Sequence, residues 1–207
     1  MSQIETGIRS ILSHPWVYEL FQNLVGAKKL RRTMVKDYFE LSNDSSIRVL
    51  DIGCGTADIL DLLPKNIDYV GYDASEQYIN YARKKYSSKN AKFYPRLVEE
   101  TDTEQKFDLV LAFGILHHLD DTTALNLFKL ASKAVSDKGR LITFDPCFVK
   151  NQSRMSYKFV SSDRGQNVRT FQEYGQLSKQ VFNSVDSYHR NNLLYIPYDH
   201  TILICKN

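Results

Sequence analysis

The chain has 207 residues, 43% of them hydrophobic and 25% charged, and a formal net charge of +3. This length and composition predict one domain with a single core, and so mild a charge neither requires nor excludes nucleic acid. No apolar run reaches the roughly 18 residues of a membrane span, the first residues show no signal-peptide pattern, and the three cysteines are scattered, so a reduced cytoplasmic setting is expected.

The first part of the chain is predicted to be a helical cap over residues 1–42. Apolar residues recur at helical spacing from 4 to 41, and Pro15 suits the first turn of a second helix. A third helix is predicted from about Ala27, with one apolar face made by Leu30, Met34, Tyr38 and Leu41. Its other face is basic, which indicates either a solvated surface or a contact for an acidic partner or substrate.

From residue 47 the pattern alternates between strands and helices. Strands are predicted over 47–52, 67–72, 91–95, 107–113 and 139–145. Helices are predicted over 56–63, 75–86 and 121–136. This alternation is typical of an α/β fold with a Rossmann-like, doubly wound, mainly parallel sheet covered on both faces, whose ligands bind at the carboxyl edge of the strands.

The last part of the chain departs from that alternation. Residues 146–169 are predicted to be a long polar connection, followed by a helix over 170–182. Two final strands, 185–194 and 200–205, are separated by so short a turn that they must be antiparallel. We therefore predict one domain over 1–207, with a core at 45–145, a substrate-side segment at 146–184 and a terminal hairpin at 185–207.

The segment Val49–Thr56 predicts the binding of a nucleoside cofactor. Gly53 and Gly55 follow the first strand, where glycines let a ligand approach the backbone closely, and Asp73 closes the second strand, where an acid can hold ribose hydroxyls. A dinucleotide would need a third glycine where Asp58 stands. S-adenosylmethionine has no pyrophosphate, and its cationic ammonium suits Asp51.

These segments resemble class I S-adenosylmethionine-dependent methyltransferases. Residues 49–56 resemble the first motif of that family, and 69–75 resemble its second-strand motif. Residues 107–119 resemble its fourth-strand segment, and 138–142 resemble the turn into its fifth strand. The resemblance covers roughly residues 47–145 and the antiparallel finish, and it implies a Rossmann-like fold, S-adenosyl-L-methionine as cofactor and methyl transfer as the activity.

The resemblance also implies roles for individual residues. Asp73 would accept hydrogen bonds from the ribose, Ala74 would line the adenine pocket, and Phe113 and Gly114 would pass near the methionine portion. Many relatives carry an acid after the third strand, but here Leu97 and Val98 stand in that region and would supply backbone contacts. The full expected cofactor set is Asp51, Gly53, Gly55, Asp73, Ala74, Leu97, Val98, Phe113 and Gly114.

The acceptor side offers two groups of candidates. His117 and His118 follow the fourth strand and would either take a proton from a substrate hydroxyl or pack beneath the cofactor. Tyr157, Arg164 and Arg169 are predicted to bind a polar or anionic substrate, since arginine suits carboxylate or phosphate groups, or else they belong to a surface loop that ion pairs hold in place. Asp145 would orient the substrate or cap its loop. No ligand spacing predicts a metal site.

The function expected from these residues is in-line methyl transfer to a small polar metabolite, with oxygen as the acceptor atom. Two alternatives remain open. One is methylation of RNA or protein through the basic helix at 28–36, although Phe113 to Leu116 lack the motif of base-amino methyltransferases. The other is a non-catalytic S-adenosylmethionine-binding module. No membrane span is expected.

Overall fold

The structure is a computed structural model that describes residues 25–41 and 46–207. The helices predicted before residue 25 lie outside the described residues. The helices are α1 (Ala27–Tyr38), α2 (Glu76–Lys85), α3 (Asp121–Ala134), α4 (Arg154–Ser161) and α5 (Phe171–Ser178). The strands are β1 (Ile47–Ile52), β2 (Ile67–Tyr72), β3 (Ala91–Tyr94), β4 (Phe107–Phe113), β5 (Val135–Pro146), β6 (Ser184–Arg190) and β7 (His200–Lys206).

The strands form one seven-stranded sheet in the order β3-β2-β1-β4-β5-β7-β6. Strands β1 to β5 run parallel, and β7 is antiparallel to both of its neighbours. This confirms the predicted doubly wound sheet and the antiparallel finish. The carboxyl ends of β1, β2, β4 and β5 therefore share one edge, which is where ligands bind in such folds.

Alternating residues of the strands feed two apolar cores, one on each face of the sheet. Leu50, Val110 and Leu141 belong to the core that α3 covers with Leu127 and Phe128. The core on the opposite face is covered by α1 and α2; its members include Val49, Tyr69, Leu109, Leu30, Met34 and Ile79. The predicted apolar face of α1 is thus confirmed, because Leu30, Met34 and Tyr38 are buried.

The helix predicted over 56–63 is wrong. Only a short 3₁₀ turn forms there, Asp58–Asp61, and it follows Ala57 in the left-handed region at φ 57°. The Asp58 carboxylate stabilises this short turn, because it contacts both neighbouring helices and the Thr56 hydroxyl. The residues after the glycine segment therefore form a short turn and not a helix.

Other boundaries also differ from the prediction. The connection over 146–169 contains α4, whose pattern is hidden because only Ser156 and Val160 of its eight residues are buried. Strand β5 begins at Val135 and not at 139; its register shifts between Phe107 and Leu109 of β4, so the predicted turn at Gly139 lies inside an irregular strand. Helix α5 and strand β6 each end four residues earlier than predicted.

The structure bears on membrane association only through its helices. Over residues 25–41 and 46–207, none of them combines the length and the apolar character that crossing a bilayer requires.

Candidate functional site

The turn after β1 leaves a space beside its second glycine. Gly53 and Gly55 have φ values of 72° and 54°, in the region that favours glycine. A Cβ added to Gly53 would overlap Ile115, whereas a Cβ added to Gly55 would meet no heavy atom within 4 Å. The backbone of this turn is held by β2, because the amides of Gly53 and Cys54 both donate to the Tyr72 carbonyl. The turn is therefore fixed, with open space on the side of Gly55.

Asp51 and Asp73 border that turn. Asp51 is 5% exposed, and its Oδ2 accepts a hydrogen bond of 2.6 Å from the Tyr69 hydroxyl. Burial raises the pKa of Asp51 to about 7, although the Tyr69 hydrogen bond opposes this rise. Asp73 accepts from the amides of Gly55 at 2.9 Å and Ser75 at 2.8 Å, and burial raises its pKa as well. One buried acid and one partly exposed acid thus flank the open space.

Asp58 connects the turn to both flanking helices. Its carboxylate lies 3.3 Å from Arg31 of α1 and 2.8 Å from Lys85 of α2, and it accepts from the Thr56 hydroxyl. The sequence suggested only that Asp58 disfavours a dinucleotide. Its role as a shared anion could not be found from the sequence, because its partners are 27 residues away on each side of it in the chain.

The region after β3 contains a cluster of charged and aromatic side chains that was not predicted from the sequence. Arg96 makes two hydrogen bonds to Asp102, at 2.6 and 2.7 Å, and its guanidinium lies 4.9 Å from the centre of the Tyr72 ring. Tyr72 in turn stacks on Tyr94 and donates to Asp102. The hydrogen bonds from Arg96 lower the pKa of Asp102 to about 2, since they outweigh its burial. This cluster fixes the loop that carries Leu97 and Val98.

The expected adenine and methionine contacts lie along the same edge. Ala74 is exposed and Leu97 is 57% exposed, so both reach the surface, whereas Val98 packs partly against the core. Gly114 has φ 66° and donates to the Phe144 carbonyl, which directs the chain away from the sheet. Phe113 packs with its ring centre 6.0 Å from that of Phe144.

His117 lies between two carboxylates on the acceptor side. Its Nδ1 is 2.8 Å from Asp145 Oδ1, and its Nε2 is 3.1 Å from Asp163 Oδ1. Burial disfavours the charged ring, but the hydrogen bonds and charges of Asp145 and Asp163 outweigh it and raise the pKa of His117 to about 9. His117 is therefore an imidazolium at neutral pH with both nitrogens occupied, which does not suit the predicted role as a base.

His118, in contrast to His117, has a lowered pKa. Burial and the charges of His117 and Arg164 lower its pKa to about 4, so the ring is neutral. Its Nδ1 is buried and has no hydrogen-bond partner among the described residues. The ring centre lies 4.0 Å from that of His117. Of the two predicted bases, only His118 keeps a nitrogen able to accept a proton.

The three predicted substrate residues differ in exposure and in their contacts. Arg169 is 8% exposed and donates to the carbonyls of Leu116, Asn167 and Leu119 and to Asp121. These donors hold two loops together, so the structure gives Arg169 a structural role in place of the expected substrate contact. Tyr157 is 58% exposed on α4 and its ring packs on Phe148, while Arg164 is half-buried near His118.

A metal centre finds no support in the described part of the chain. Among those residues, no group of three or more His, Cys, Asp or Glu side chains is placed to hold an ion. Cys147 is buried, and its amide donates to the Asp199 carbonyl.

The residues around the glycine turn fit S-adenosylmethionine. The space beside Gly55 is open, and a side chain at that position would occupy it. Asp73 borders it with oxygens that can accept from ribose hydroxyls, and the buried carboxyl of Asp51 matches a cationic ammonium group. The group would supply a methyl on a sulfonium, and the residues described here would hold it.

Comparisons with known proteins agree with this geometry. A family model described as a methyltransferase domain matches residues 43–190. A malonyl-[acyl-carrier protein] O-methyltransferase of Acetivibrio thermocellus is 30% identical over 97 residues, which are 45% of this chain and 34% of that protein. The enzyme of the same name from Priestia megaterium is 23% identical over 82% of this chain and 65% of its own length. The chain thus spans less than two thirds of either relative.

Solved structures show the same fold at low sequence identity. The plantazolicin methyltransferase BpumL, solved with S-adenosylhomocysteine (SAH), has a TM-score of 0.69 at 14% identity, covering 96% of this chain and 91% of that one. The mitomycin 7-O-methyltransferase MmcR has a TM-score of 0.66 at 14% identity, covering 96% of this chain and 60% of that one. With the glycine turn, the two flanking acids and the family match over most of its length, the chain belongs to the class I S-adenosylmethionine-dependent methyltransferases.

Proposed function

We propose that the chain transfers a methyl group from S-adenosylmethionine to an oxygen of a small polar metabolite, and that this oxygen belongs to a carboxylate. The observation that carries the proposal is the state of His117, whose ring nitrogens each face a carboxylate. An imidazolium held in this way has no lone pair for a hydroxyl proton. A carboxylate acceptor needs no base, since it is already ionised and nucleophilic at neutral pH.

His118 does not alter that conclusion. Its neutral ring can accept a proton, but a base with a pKa of about 4 removes protons from alcohols poorly. Arg164 lies close enough to lower that pKa, and a guanidinium suits a carboxylate. The names of the relatives favour the same acceptor, because those enzymes are O-methyltransferases of a malonyl group, which carries a free carboxylate.

In this proposal the cofactor is held by the expected set of residues. Asp73 accepts from the ribose, Asp51 faces the ammonium, and the backbone at Gly53 and Gly55 lies against the ligand. Ala74, Leu97 and Val98 border the adenine, and Phe113 and Gly114 border the methionine portion. We also propose a cytoplasmic location, which the free state of Cys54, Cys147 and Cys205 favours.

Cofactor binding is expected to release a proton from Asp51. The pKa of the free carboxyl is about 7, and a cationic ligand lowers it, so the complex binds fewer protons than the free protein below pH 7. Affinity should therefore rise with pH through about 7. Calorimetry in buffers of different ionisation enthalpy should detect release of about one proton at pH 6. Asp51→Asn should abolish that release.

Tyr69→Phe sharpens this test. Without the hydroxyl, the Asp51 carboxylate loses its hydrogen-bond donor, so its pKa should rise and the release should persist to higher pH. Tyr86→Phe is the matched control, because Tyr86 is also a buried tyrosine but its hydroxyl interacts with Lys85 and not with Asp51. Equal proton release by the wild type and Asp51→Asn at pH 6 would refute the role of Asp51.

The acceptor proposal is tested by turnover and by Arg164→Ala. The protein is mixed with S-adenosylmethionine and a panel of small carboxylates, each paired with its alcohol, and S-adenosylhomocysteine is measured. Carboxylates should be methylated and the alcohols should not. Arg164→Ala should raise the KM for the carboxylate about 10-fold, the effect of losing one charged hydrogen bond, and leave the cofactor Kd unchanged.

The exposed Arg154 on α4 provides the control, since Arg154→Ala also removes one arginine charge. Methylation of the alcohols alone would contradict the carboxylate proposal. An unchanged KM in Arg164→Ala would remove that residue from the site. No product across the panel would favour a non-catalytic cofactor-binding module.

One observation favours methylation of RNA or an acidic protein as a second candidate. Lys28, Arg32 and Lys36 are exposed at spacings of four residues along α1, and so form one basic stripe. Binding of RNA that weakens steeply with salt, and that Lys28→Ala weakens further, would support this candidate.

A further inference from the structure

A line of buried and half-buried polar side chains crosses the acceptor side of the molecule. Asp145 at the end of β5 contacts His117 through both its Nδ1 and its backbone amide, at 2.8 and 3.1 Å. His117 Nε2 lies 3.1 Å from Asp163, which follows α4. The other oxygen of Asp163 accepts a 2.6 Å hydrogen bond from the Tyr198 hydroxyl, just before β7. We call Asp145, His117, Asp163 and Tyr198 the clamp.

The backbone after α4 lies against the same histidine. The Asn167 amide donates to the His117 carbonyl at 2.9 Å, and the Gly165 amide donates to Asp163 at 2.8 Å. A Cβ at Gly165 would overlap the His117 ring, so this position requires glycine for close approach. Residues 163–167 are therefore attached to His117 through a side chain, a carbonyl and a packing contact.

We propose that His117 is a positioning residue, which holds the segment 163–167, and Arg164 within it, over the acceptor side of the sheet edge. The inference rests on the proposed function in so far as Arg164 contacts the acceptor. It differs from the predicted role of a base, because His117 acts through its attachment of the segment and never exchanges a proton with the substrate.

The charge of the ring is what makes the attachment strong. In the described residues, the charged and titratable groups that face His117 are Asp145, Asp163, His118 and His200. The two histidines have lowered pKa values and are neutral, whereas the pKa of Asp163 is lowered by His117 and Tyr198 despite burial, which keeps it ionised. The imidazolium therefore bridges Asp163 and Asp145, and burial raises the pKa of Asp145. Arg164 is a further charged group nearby, since its charge lowers the pKa of His118.

The pH dependence follows from the raised pKa of His117. Its contribution to stability is complete below the ordinary value of about 6.5 and is lost as the pH rises through about 9. The acceptor KM should therefore increase above pH 9, where a carboxylate acceptor no longer titrates. In a variant whose clamp is already broken, this increase should be absent.

The experiment removes the clamp from its outer end, where no cofactor contact is expected. Asp163→Asn removes the charge and keeps the shape, Tyr198→Phe removes one hydrogen bond, and Asp186→Asn is the control on the exposed face of β6. Hydrogen exchange of the peptide spanning 163–168 is measured on the full chain without acceptor. Acceptor KM and cofactor Kd are measured in parallel.

We expect at least 10-fold faster exchange of this peptide in Asp163→Asn, a smaller increase in Tyr198→Phe and no change in Asp186→Asn. The acceptor KM should rise about 10-fold in Asp163→Asn, with cofactor Kd within twofold of the wild type. Unchanged exchange, or faster exchange with an unchanged KM, would overturn the proposal. Absence of turnover in the wild type would count against the proposed function alone, because the exchange arm needs no acceptor.

Discussion

Replacing Asp73 with alanine is expected to lower the affinity for S-adenosylmethionine about 100-fold. The carboxylate at this position is the one expected to hold the ribose, and hydrogen bonds to a charged group contribute about 1.5–3 kcal/mol each. The substitution also leaves the amides of Gly55 and Ser75 without their acceptor, so the turn itself loses support. Titration calorimetry measures the Kd, and a melting curve separates binding from unfolding.

Asp68→Ala is the matched control for this change. Asp68 lies near the beginning of β2, the strand that Asp73 follows, and it forms a partly exposed ion pair of 3.6 Å with Arg48. Such pairs contribute little, so both stability and cofactor Kd should stay close to the wild type. Asp73→Ala with a Kd within threefold of the wild type would refute the ribose assignment.

Arg169→Ala is expected to destabilise the fold by about 3 kcal/mol, the cost of leaving buried acceptors without their donors. The guanidinium satisfies the carbonyls of Leu116 and Leu119, both buried residues, and alanine would leave these acceptors unpaired. Arg169→Lys should not restore stability, because an ammonium lacks the planar fork that reaches several acceptors. Denaturant unfolding measures both variants.

Arg154→Ala is the control for that experiment, since it removes an arginine that is exposed at the start of α4. Its free energy of unfolding should match that of the wild type within about 0.5 kcal/mol. If Arg169→Ala unfolds at the wild-type denaturant concentration but raises the acceptor KM, then the original prediction of a substrate contact is right and the structural role is wrong.

The sheet and the cofactor edge were the most predictable parts of this chain. Strands β1, β2 and β4 are short apolar runs that alternate with amphipathic helices, so local pattern alone indicates a parallel sheet. Because such sheets bind ligands where their strands end, the sequence alone predicts that Gly53, Asp73 and Gly114 lie at one edge of the sheet. The positions of these residues follow from chain order and need no knowledge of side-chain partners.

The acceptor side was less predictable, because its chemistry depends on residues far apart in the chain. Nothing adjacent to His117 indicates that Asp145 and Asp163, 28 and 46 residues later, would occupy its nitrogens. The structural contacts of Arg169 could not be predicted for the same reason, since its acceptors at Leu116 and Leu119 are distant in the sequence. Helix α4 was missed because a two-turn helix with two buried residues leaves little periodicity.

Asp58 connects the cofactor turn to two helices at once. Its single carboxylate is shared by Arg31 of α1 and Lys85 of α2, and it borders the turn that carries Gly53 and Gly55. Docking of α1 and ordering of the turn are therefore linked equilibria, and the linkage is reciprocal. If docking of α1 increases the cofactor affinity by some factor, then cofactor binding increases the equilibrium constant for docking of α1 by the same factor. A methyl donor that orders this turn should therefore also stabilise the packing of α1 through Asp58.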